Sequence, residues 1–413
     1  MTHLTVLCLL AAMCYSATAF SQTQWTKQNA GNPVMDVGPS GAWDDLVVIA
    51  NRVIRVQDTL KMWYSGSRTG SIFRIGYAWS TNGGITWAKH PSNPIVIPTQ
   101  SWELNNVLWP HVIFTGSQYQ MWYAGNDDIG YAWSADGIVW TKYAGNPVVH
   151  RGPLLWDARH VGWNCVLPDG AGGFKMWFEG WDASNVSQIG YATATDETTW
   201  TKADNVNPVL TRAPGTWEPS NLRGPRVLYN GQIYQMLYSG GSSNQPIGVG
   251  YATSPDGKAW TKDSANPVLR GTPGSWDAYG ASTGDVLFDG TVYHLWYVGE
   301  PVFNGVARVG YATAPVATSV REVPGELPTA FVLEQNYPNP FNPETRIKFQ
   351  IPNSNFVSLK VYTILGQGVA TLLNEEMKPG SYEVTWDALG FASGIYFYRL
   401  QTGSFIETKR IFC

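Results

Sequence analysis

One unit of sequence recurs five times between Trp25 and Pro315, and this repetition constrains the fold more than any other feature of the chain. Each copy carries the phrases MWYxG (or a close variant), GYA, W-[TA]-K, N-P-[VI] and W-[DE], although the order is displaced at the two ends. The W-[TA]-K phrases begin at Trp25, Trp87, Trp140, Trp200 and Trp260, which gives spacings of 62, 53, 60 and 60 residues. Repeats of this length are typical of propellers and solenoids.

Each copy holds four short runs rich in Val, Ile, Tyr, Trp and Phe, separated by clusters of Gly, Asn, Asp or Pro and without helical periodicity. Such runs predict β-strands, and the clusters predict the turns between them. In the second copy we expect strands near residues 112–114, 119–123, 129–133 and 139–142. Four strands make one blade, so the sequence predicts an all-β protein with a five-bladed β-propeller.

The two ends of the repeat are uneven, and this predicts how the ring closes. The first W-T-K phrase, at Trp25, precedes any MWYxG, whereas the fifth copy ends after Gly310-Tyr311-Ala312 without a W-T-K of its own. We therefore expect residues 24–27 to pair with residues 309–313 as the outer strand of the last blade. This pairing removes the open sheet edges that otherwise promote aggregation.

Acids that recur from copy to copy are interpreted as structural. Asp136, Asp196 and Asp256 lie in the turns between the third and fourth strands, where an Asp side chain folds onto backbone amides of its own turn. The acids of the W-[DE] phrase also occur in all five copies and are expected to hold the blades together: Asp44, Glu103, Asp157, Glu218 and Asp277.

Residues that differ between copies are better candidates for function. Alternating strand directions bring the W-[DE] segments and the loops between second and third strands to one face, here called the top face. On this face only the third copy has an acid before the Gly of MWYxG, Glu179, and only the first has an acid two residues after the Trp of W-[DE], Asp45. The short loop of the second copy adds Asp127 and Asp128.

Further candidates line up near the same face. Nine residues after the Trp of W-[DE] the five copies have Arg52, His111, Cys165, Arg226 and Asp285, each followed by Val. The predicted ligand-binding residues are Arg52, His111, Arg159, His160, Trp163, Trp181, Arg226 and Asp285. No metal site and no cofactor are predicted.

The phrases MWYxG, GYAxSxDGxxW, T-K and N-P-V resemble those of the five-bladed propellers of glycoside hydrolase families 43 and 32. The resemblance implies a base Asp in blade 1, a helper Asp in blade 2 and an acid Glu in blade 3, which match Asp45 (or Asp44), Asp127 (or Asp128) and Glu179. The Arg-Asp-Pro that often carries the first acid is replaced by Trp43-Asp44-Asp45-Leu46. Inverting hydrolysis needs one ionised and one protonated carboxyl, about 6.5–9.5 Å apart.

Three functions from different classes remain open at this point. The first is an inverting glycoside hydrolase acting on polysaccharide, such as one containing arabinose or xylose. The second is a glycan-binding propeller without turnover, and the third is a surface scaffold for protein contacts. Paired carboxylates in the funnel favour the first, aromatic residues without paired acids favour the second, and a flat plugged top favours the third.

The amino terminus is typical of an exported protein. An apolar run at residues 4–12 and the small residues Ala17-Thr18-Ala19 predict a signal peptide over residues 1–19, and no later stretch is apolar and long enough to span a bilayer.

A net charge of -4 and a pI near 5.9 argue against nucleic acid as a partner. Outside the predicted signal peptide, Cys165 and Cys413 belong to different predicted domains, so no disulfide framework is indicated.

The composition changes after the propeller, which is predicted to span residues 20–315. Residues 316–333 are predicted to be a linker, and the alternating strands of residues 334–413 predict a small β-sandwich. The phrases NYPNPFNP, LGQ and SGIYFYRL resemble the C-terminal sorting domain of type IX secretion, a FlgD-like, immunoglobulin-like domain. The resemblance implies export to the cell surface or beyond, with the secretion machinery as a partner.

Overall fold

The computed structural model describes residues 25–242, 245–290, 292–315, 320–388, 391 and 393–413, and it confirms the all-β prediction. Residues 25–315 form a ring of five antiparallel blades. The four strands of each blade are lettered A to D from the channel outward. Blade 1 contains β2 (Val47–Val56), β3 (Thr59–Ser67), β4 (Phe73–Ser80) and β5 (Ala88–Lys89). Blade 2 contains β6 (Leu108–Phe114), β7 (Tyr119–Ala124), β8 (Ile129–Ser134) and β9 (Thr141–Lys142).

The remaining blades repeat this pattern. Blade 3 contains β10 (His160–Pro168), β11 (Phe174–Trp181), β12 (Ser187–Ala194) and β13 (Trp200–Lys202). Blade 4 contains β14 (Asn221–Tyr229), β15 (Tyr234–Ser242), β16 (Gln245–Ser254) and β17 (Thr261–Lys262), with β18 (Leu269–Arg270) also paired to β16. Blade 5 contains β19 (Gly280–Phe288), β20 (Val292–Glu300), β21 (Arg308–Pro315) and β1 (Thr26–Lys27). Three short 3-10 turns, Asn29–Gly31, Ser101–Glu103 and Leu155–Asp157, connect blades.

The predicted closure of the ring is confirmed by the pairing of β1 with β21. Thr26 lies opposite Thr313 and Lys27 lies opposite Ala312. Lys27 also donates to the Asp277 carboxylate at 2.5 Å, which ties the first strand to the W-[DE] phrase of the last blade. Both ends of the propeller are therefore held in one blade.

The recurring acids of W-[DE] are buried in one repeated cluster. In every blade the carboxylate of this acid forms an ion pair with the ammonium group of the Lys in the W-[TA]-K phrase. The N–O distance is 2.5–2.7 Å in the pairs of Asp277, Glu103, Asp157 and Asp44. The Tyr of MWYxG also donates to the acid in blades 1, 2 and 5, as Tyr123 does to Glu103 at 2.7 Å. The lysine contacts bind strand D of each blade to the preceding loop, and the Tyr contacts add strand B in blades 1, 2 and 5, which supports the structural interpretation of these acids.

A second repeated contact joins each blade to the next. The indole N–H groups of Trp63, Trp122, Trp177 and Trp296, all on strand B, donate to a carbonyl in the C–D turn of the neighbouring blade at 2.7–3.1 Å. Blade 4 has Leu237 at this position instead. Its neighbour, blade 5, takes strand D from the start of the propeller, so no turn joins its strands C and D. Leu237 thus replaces Trp where the acceptor carbonyl is missing.

The Asp side chains of these turns have the predicted role. The carboxylates of Asp136 and Asp256 each accept two backbone amides two and three residues downstream at 2.8 Å, and Asp196 makes the same pair of bonds at 2.8 and 2.7 Å. Each turn is fixed by its own side chain, which supports a structural role for all three acids.

Strand A carries a β-bulge at the same place in every blade. The register with strand B shifts just before Arg52, His111, Cys165, Arg226 and Asp285. Because the bulges re-aim these side chains in the same way, the five residues meet in the central channel, where Arg226 contacts Asp285 at 3.2 Å and Arg52 contacts it at 3.4 Å. This row, here called the channel plug, separates the top half of the channel from the bottom half.

The C-terminal region is a sandwich of two four-stranded sheets. One sheet contains β22 (Val320–Val323), β27 (Gly380–Asp387), β24 (Glu344–Ile351) and β23 (Val332–Leu333). The other contains β26 (Gly368–Met377), β25 (Asn355–Thr363), β28 (Ile395–Thr402) and β29 (Phe405–Phe412). Alternating apolar side chains such as Phe349, Leu359 and Tyr398 fill the space between the sheets.

The predicted linker differs from the structure, and the predicted signal peptide lies outside the part of the chain that the structure describes. Residues 316–333 were predicted to be a linker, but β22 and β23 lie in this range and pair with β27 and β24, so the sandwich begins before residue 334. Backbone pairing at the sheet edges, which an alternating pattern of only a few residues does not reveal, accounts for the difference. The predicted signal peptide, residues 1–19, lies outside the described residues.

Candidate functional site on the top face

A cavity of about 160 Å³ lies at the top of the channel, where all five blades contribute. Its walls include Ile49 of blade 1, Trp109 of blade 2, Trp163 of blade 3, Arg223 of blade 4 and Glu300 of blade 5. These residues precede or accompany the strand A bulges, or end strand B as Glu300 does, so the cavity lies directly above the channel plug. Aromatic and apolar walls with a few charged groups are the usual composition of a small-molecule site.

Two Trp rings form one wall of this cavity. Trp109 and Trp163 occupy equivalent bulge positions, and their rings stack with centroids 5.2 Å apart and an interplanar angle of 10°. Both have positive φ, 52° and 30°, a conformation that costs a side-chain-bearing residue about 1–3 kcal/mol. In blade 4 the equivalent residue is Gly224, also at positive φ, where a Cβ would lie 2.8 Å from the Trp163 ring. The strained bulges therefore hold a flat aromatic surface at the channel mouth.

Glu179 lies beside this wall and differs from the acids of the repeated clusters. It is fully buried, it pairs across the sheet with Gly162, and no lysine of the described residues forms an ion pair with it. The indole N–H of Trp181 donates to its Oε1 at 2.5 Å, while Oε2 has no hydrogen-bond partner in the described part of the chain. Burial raises the pKa of Glu179, and the charge of Arg223 offsets this only in part.

Arg223 and Glu300 are site residues that sequence reasoning missed. The Arg223 guanidinium lies 5.4 Å from the centre of the Trp181 ring, and its charge acts on both Glu179 and Glu300. Burial raises the pKa of Glu300 as well. A signal was present, because Glu300 follows the Gly of its MWYxG phrase, where the other blades have Ser67, Asn126, Trp181 and Gly241.

His160 connects the short loop of blade 2 to this site. Its ring lies edge-on to Trp109 and Trp181, with centroids 5.6 and 6.4 Å away, and its Nδ1 lies 3.5 Å from Asp127. Hydrogen bonding with His160 and the charge of Arg151 lower the pKa of Asp127 against the effect of burial. Asp127 is therefore held ionised beside the site while burial favours the protonated form of Glu179.

The structure does not bring Asp45 to the cavity wall. Its carboxylate accepts the Gly41 amide at 2.7 Å and lies 3.9 Å from Arg68, so both of these contacts stay within the loops of blade 1. The neighbouring Asp44 is the acid of the repeated cluster. These contacts do not link Asp45 to Glu179, as the predicted pairing requires. Asp127 is linked to Glu179 through His160, which contacts Asp127 and whose charge acts on Glu179.

The other predicted ligand-binding residues fall into two groups. His160, Trp163 and Trp181 lie at or beside the cavity. The side chain of Arg159 is exposed, and its backbone N–H donates a hydrogen bond to the Trp181 carbonyl at 2.9 Å. His111, Arg226 and Asp285 are buried in the channel plug, and Arg52 opens toward the opposite face. The shared bulge directs these side chains inward, which the sequence alignment of the blades did not reveal.

Among the described residues, no group of three or more His, Cys, Asp or Glu side chains is arranged to hold a metal ion. In the same residues no helix is long and apolar enough to cross a membrane.

Comparison with known families identifies the C-terminal region. Residues 335–413 match the family described as "Secretion system C-terminal sorting domain". Two uncharacterized proteins of Mycobacterium tuberculosis are 28% and 27% identical to this chain over 230 residues, a match that covers 50% of this chain and 72% of each relative.

Solved structures resemble the propeller at low sequence identity. A glycosyl hydrolase from Bacteroides ovatus has a TM-score of 0.55 and 15% identity, covering 71% of this chain and 97% of that one. A thermostable family-43 glycoside hydrolase has a TM-score of 0.52 and 19% identity, covering 65% and 89%. An N-acetylgalactosamine deacetylase from F. plautii, in complex with blood group B trisaccharide, has a TM-score of 0.54 and 15% identity, covering 71% and 96%. At these identities the likeness establishes the propeller fold.

Proposed function

We propose that the propeller is a carbohydrate-active module whose top-face cavity binds a sugar residue. The observation that carries the proposal is the stacked Trp109–Trp163 surface, with Arg223 and Glu300 completing the same wall. Sugar rings present apolar faces that pack on aromatic surfaces, while their hydroxyls need polar partners at the edge. The comparisons with carbohydrate-active enzymes support this assignment at the level of the fold.

The direct test is calorimetric titration of the full chain with xylo- and arabino-oligosaccharides. Trp109→Ala should weaken binding by about 10-fold, because an aromatic contact contributes about 0.5–1.5 kcal/mol beyond the area it buries. Trp133→Ala is a matched control, since this half-buried ring packs against Tyr131 in the outer part of blade 2. Equal losses in both variants, or no binding of either sugar by the unaltered protein, would contradict the proposal.

A second candidate function, hydrolysis of the bound sugar, is favoured by the opposite pKa shifts of two acids. The raised pKa of Glu179 suits a proton donor, and the lowered pKa of Asp127 suits an ionised partner that activates water. Trp181 must move for Glu179 to reach a ligand, because the carboxyl is fully buried behind its N–H contact.

Three isosteric variants distinguish turnover from binding. If the protein is a hydrolase, Glu179→Gln and Asp127→Asn abolish product release, measured by chromatography of reducing ends, while calorimetry still detects sugar binding. Asp45→Asn, which lies in the loop of blade 1, should leave product release within about two-fold. Binding without turnover in the unaltered protein would eliminate the hydrolase and leave the glycan-binding function.

Export is the other half of the proposed function. The match of residues 335–413 to a sorting domain supports delivery to the cell surface or the medium by a type IX pathway. Deleting residues 320–413, which removes the sandwich at its first strand, should leave the propeller inside the cell envelope of a bacterium that has this pathway. Surface delivery of the truncated chain in cell fractionation would refute this role.

A further inference from the structure

A larger cavity lies on the opposite face of the propeller, below the channel plug. Its volume is about 430 Å³, within the range of roughly 300–1,000 Å³ that is usual for small-molecule sites. It lies between blades 4, 5 and 1, where the strands A continue beyond their bulges toward the bottom turns. We call this cavity the basal pocket and define it by Arg52, Arg55, Tyr229, Gln235, Phe288 and Tyr293.

The basal pocket carries a positive charge that its own walls do not neutralise. Arg52 and Arg55 both line it, and no Asp or Glu is among its described lining residues. The carboxylate in contact with Arg52 is Asp285, which is 1% exposed and is shared between two guanidinium groups, Arg226 at 3.2 Å and Arg52 at 3.4 Å. Two cations against one anion leave one positive charge in excess at the end of the pocket.

The excess charge faces the basal pocket rather than the interior. Arg226 is 1% exposed and donates to the carbonyl oxygens of Gly284, Asn51, Asn164 and Pro225, so its N–H groups are well satisfied. Arg52 is 20% exposed and donates from Nε to the Val112 carbonyl. A partly exposed guanidinium in a concave site binds a carboxylate in two-pronged geometry.

Aromatic rings stand beside these cations. Phe288 is 40% exposed and stacks on Tyr293 at 4.5 Å, and Tyr229 is 50% exposed and stacks on Tyr234 at 4.5 Å. Their partners fix the two exposed rings in place while leaving area that a ligand can cover. Gln235 joins them to the interior, because its amide accepts from Tyr293 and donates to Tyr251 at 3.0 Å.

We propose that the basal pocket is a second binding site, which takes the carboxylate of an acidic sugar at Arg52 and Arg55 and packs the sugar ring on Tyr229 and Phe288. This site does not depend on the top-face cavity, because the buried channel plug lies between them. A protein with both sites can hold two parts of a glycan, or two glycans, on its opposite faces.

The test uses the full chain and digalacturonate as the probe, measured by calorimetry beside its dimethyl ester, here called the methyl ester, which lacks both negative charges. Digalacturonate should bind and the methyl ester should bind at least about 10-fold more weakly, as expected when a charged hydrogen-bond partner is lost. Arg55→Gln should weaken digalacturonate by a similar factor. Arg55 is exposed and outside the plug, so this variant keeps the buried contacts of Arg52.

The matched control is Arg321→Gln, which removes the same charge from an exposed position in the sandwich and should leave affinity unchanged. Phe288→Ala tests the stacking contact separately and should weaken both the acid and its ester. The proposal is overturned if digalacturonate does not bind, if the methyl ester binds equally well, or if Arg321→Gln weakens binding as much as Arg55→Gln. Loss of binding in Trp109→Ala, with Arg55→Gln unaffected, would assign the acidic sugar to the top face instead.

Discussion

The buried acids of the repeated clusters and the buried Glu179 differ in the groups that surround their carboxylates. Each cluster acid receives a lysine ammonium, whereas Glu179 receives only the indole N–H of Trp181 and keeps one oxygen without a hydrogen-bond partner in the described residues. Breaking a buried ion pair is costly, so acids with a cation in every blade belong to the architecture. An acid present in one blade without a lysine partner needs another explanation, and the adjacent cavity supplies one.

Asp157 shows where this contrast is least sharp. It is paired with Lys202 at 2.6 Å, yet burial raises its pKa, and its Oδ1 has no hydrogen-bond partner among the residues that the structure describes. Blade 3 has Phe178 where blades 1, 2, 4 and 5 have Tyr, so the hydroxyl that helps the other cluster acids is missing. The lysine, and not the complete set of hydrogen bonds, is therefore what all five clusters share.

The largest expected effect comes from removing a cation from one cluster. Lys142→Met leaves Glu103 buried without its ammonium partner, and breaking such a pair costs about 3–5 kcal/mol in free energy of unfolding. Urea denaturation followed by Trp fluorescence measures it. Lys348→Met is the control, because the Lys348–Glu383 contact at 3.8 Å is half exposed and such pairs contribute about 0–1 kcal/mol. Similar losses in both variants would remove the distinction between cluster acids and ordinary surface pairs.

A smaller effect is expected from restoring the repeat at Leu237. Leu237→Trp should destabilise the propeller by about 1–3 kcal/mol, because the larger ring overpacks the core and its N–H meets no turn of blade 5. Thermal unfolding measures this loss, and sugar binding at the top face should be unchanged. An increase in stability would mean that the missing acceptor does not explain Leu237. Residues that depart from the repeat could then not be divided into structural and functional ones by their contacts.

The smallest effect is a difference in how stability depends on pH. Burial raises the pKa of Glu179, so its pKa in the folded state exceeds that in the unfolded state. The contribution of Glu179 to the free energy of unfolding therefore falls as the pH rises from the unfolded pKa through the folded one. Glu179→Gln should therefore become more stable relative to the unaltered protein between acid and neutral pH. Denaturation midpoints at a series of pH values measure the difference.

Asp277 gives the opposite sign in the same experiment. Burial favours a higher pKa for Asp277, but Lys27, Ser275 and the Thr272 amide outweigh it and lower the pKa. Its contribution is present above the unfolded pKa and lost as pH falls through the folded one. Asp277→Asn should lose stability relative to the unaltered protein as pH rises toward neutral, and parallel pH dependence in the two variants would contradict the comparison.

The repeat made most of the propeller predictable from sequence, because each blade repeats the same local requirements. The closure by β1, the strands of blade 2 and the roles of Asp136 and Asp256 all follow from phrases that recur at fixed spacing. The linker prediction was less accurate, since Val320–Val323 is recruited to the sandwich by a distant strand. Pairing between distant segments is set by tertiary context, which local composition does not record.

The candidate site was predictable only in part. Glu179, Trp181 and His160 were found because they are unique to blade 3, but uniqueness did not reveal which side chains the bulges turn inward. His111, Arg226 and Asp285 therefore appeared to face a ligand when they in fact fill the channel plug. Arg223 and Glu300 were missed because they come from blades 4 and 5, and only the closed ring brings them together with blade 3.

The central claim is that burial holds Glu179, the buried acid without a lysine partner in the described residues, at a raised pKa beside the top-face site. Infrared difference spectra between the unaltered protein and Glu179→Gln, recorded over a series of pH values, test it most directly, because a protonated carboxyl absorbs separately from a carboxylate. The carbonyl stretch of the protonated carboxyl should persist in the difference spectrum at pH values where a glutamate of the unfolded chain is already ionised. Replacement of this band by a carboxylate band in the pH range where an unperturbed glutamate ionises would contradict the claim.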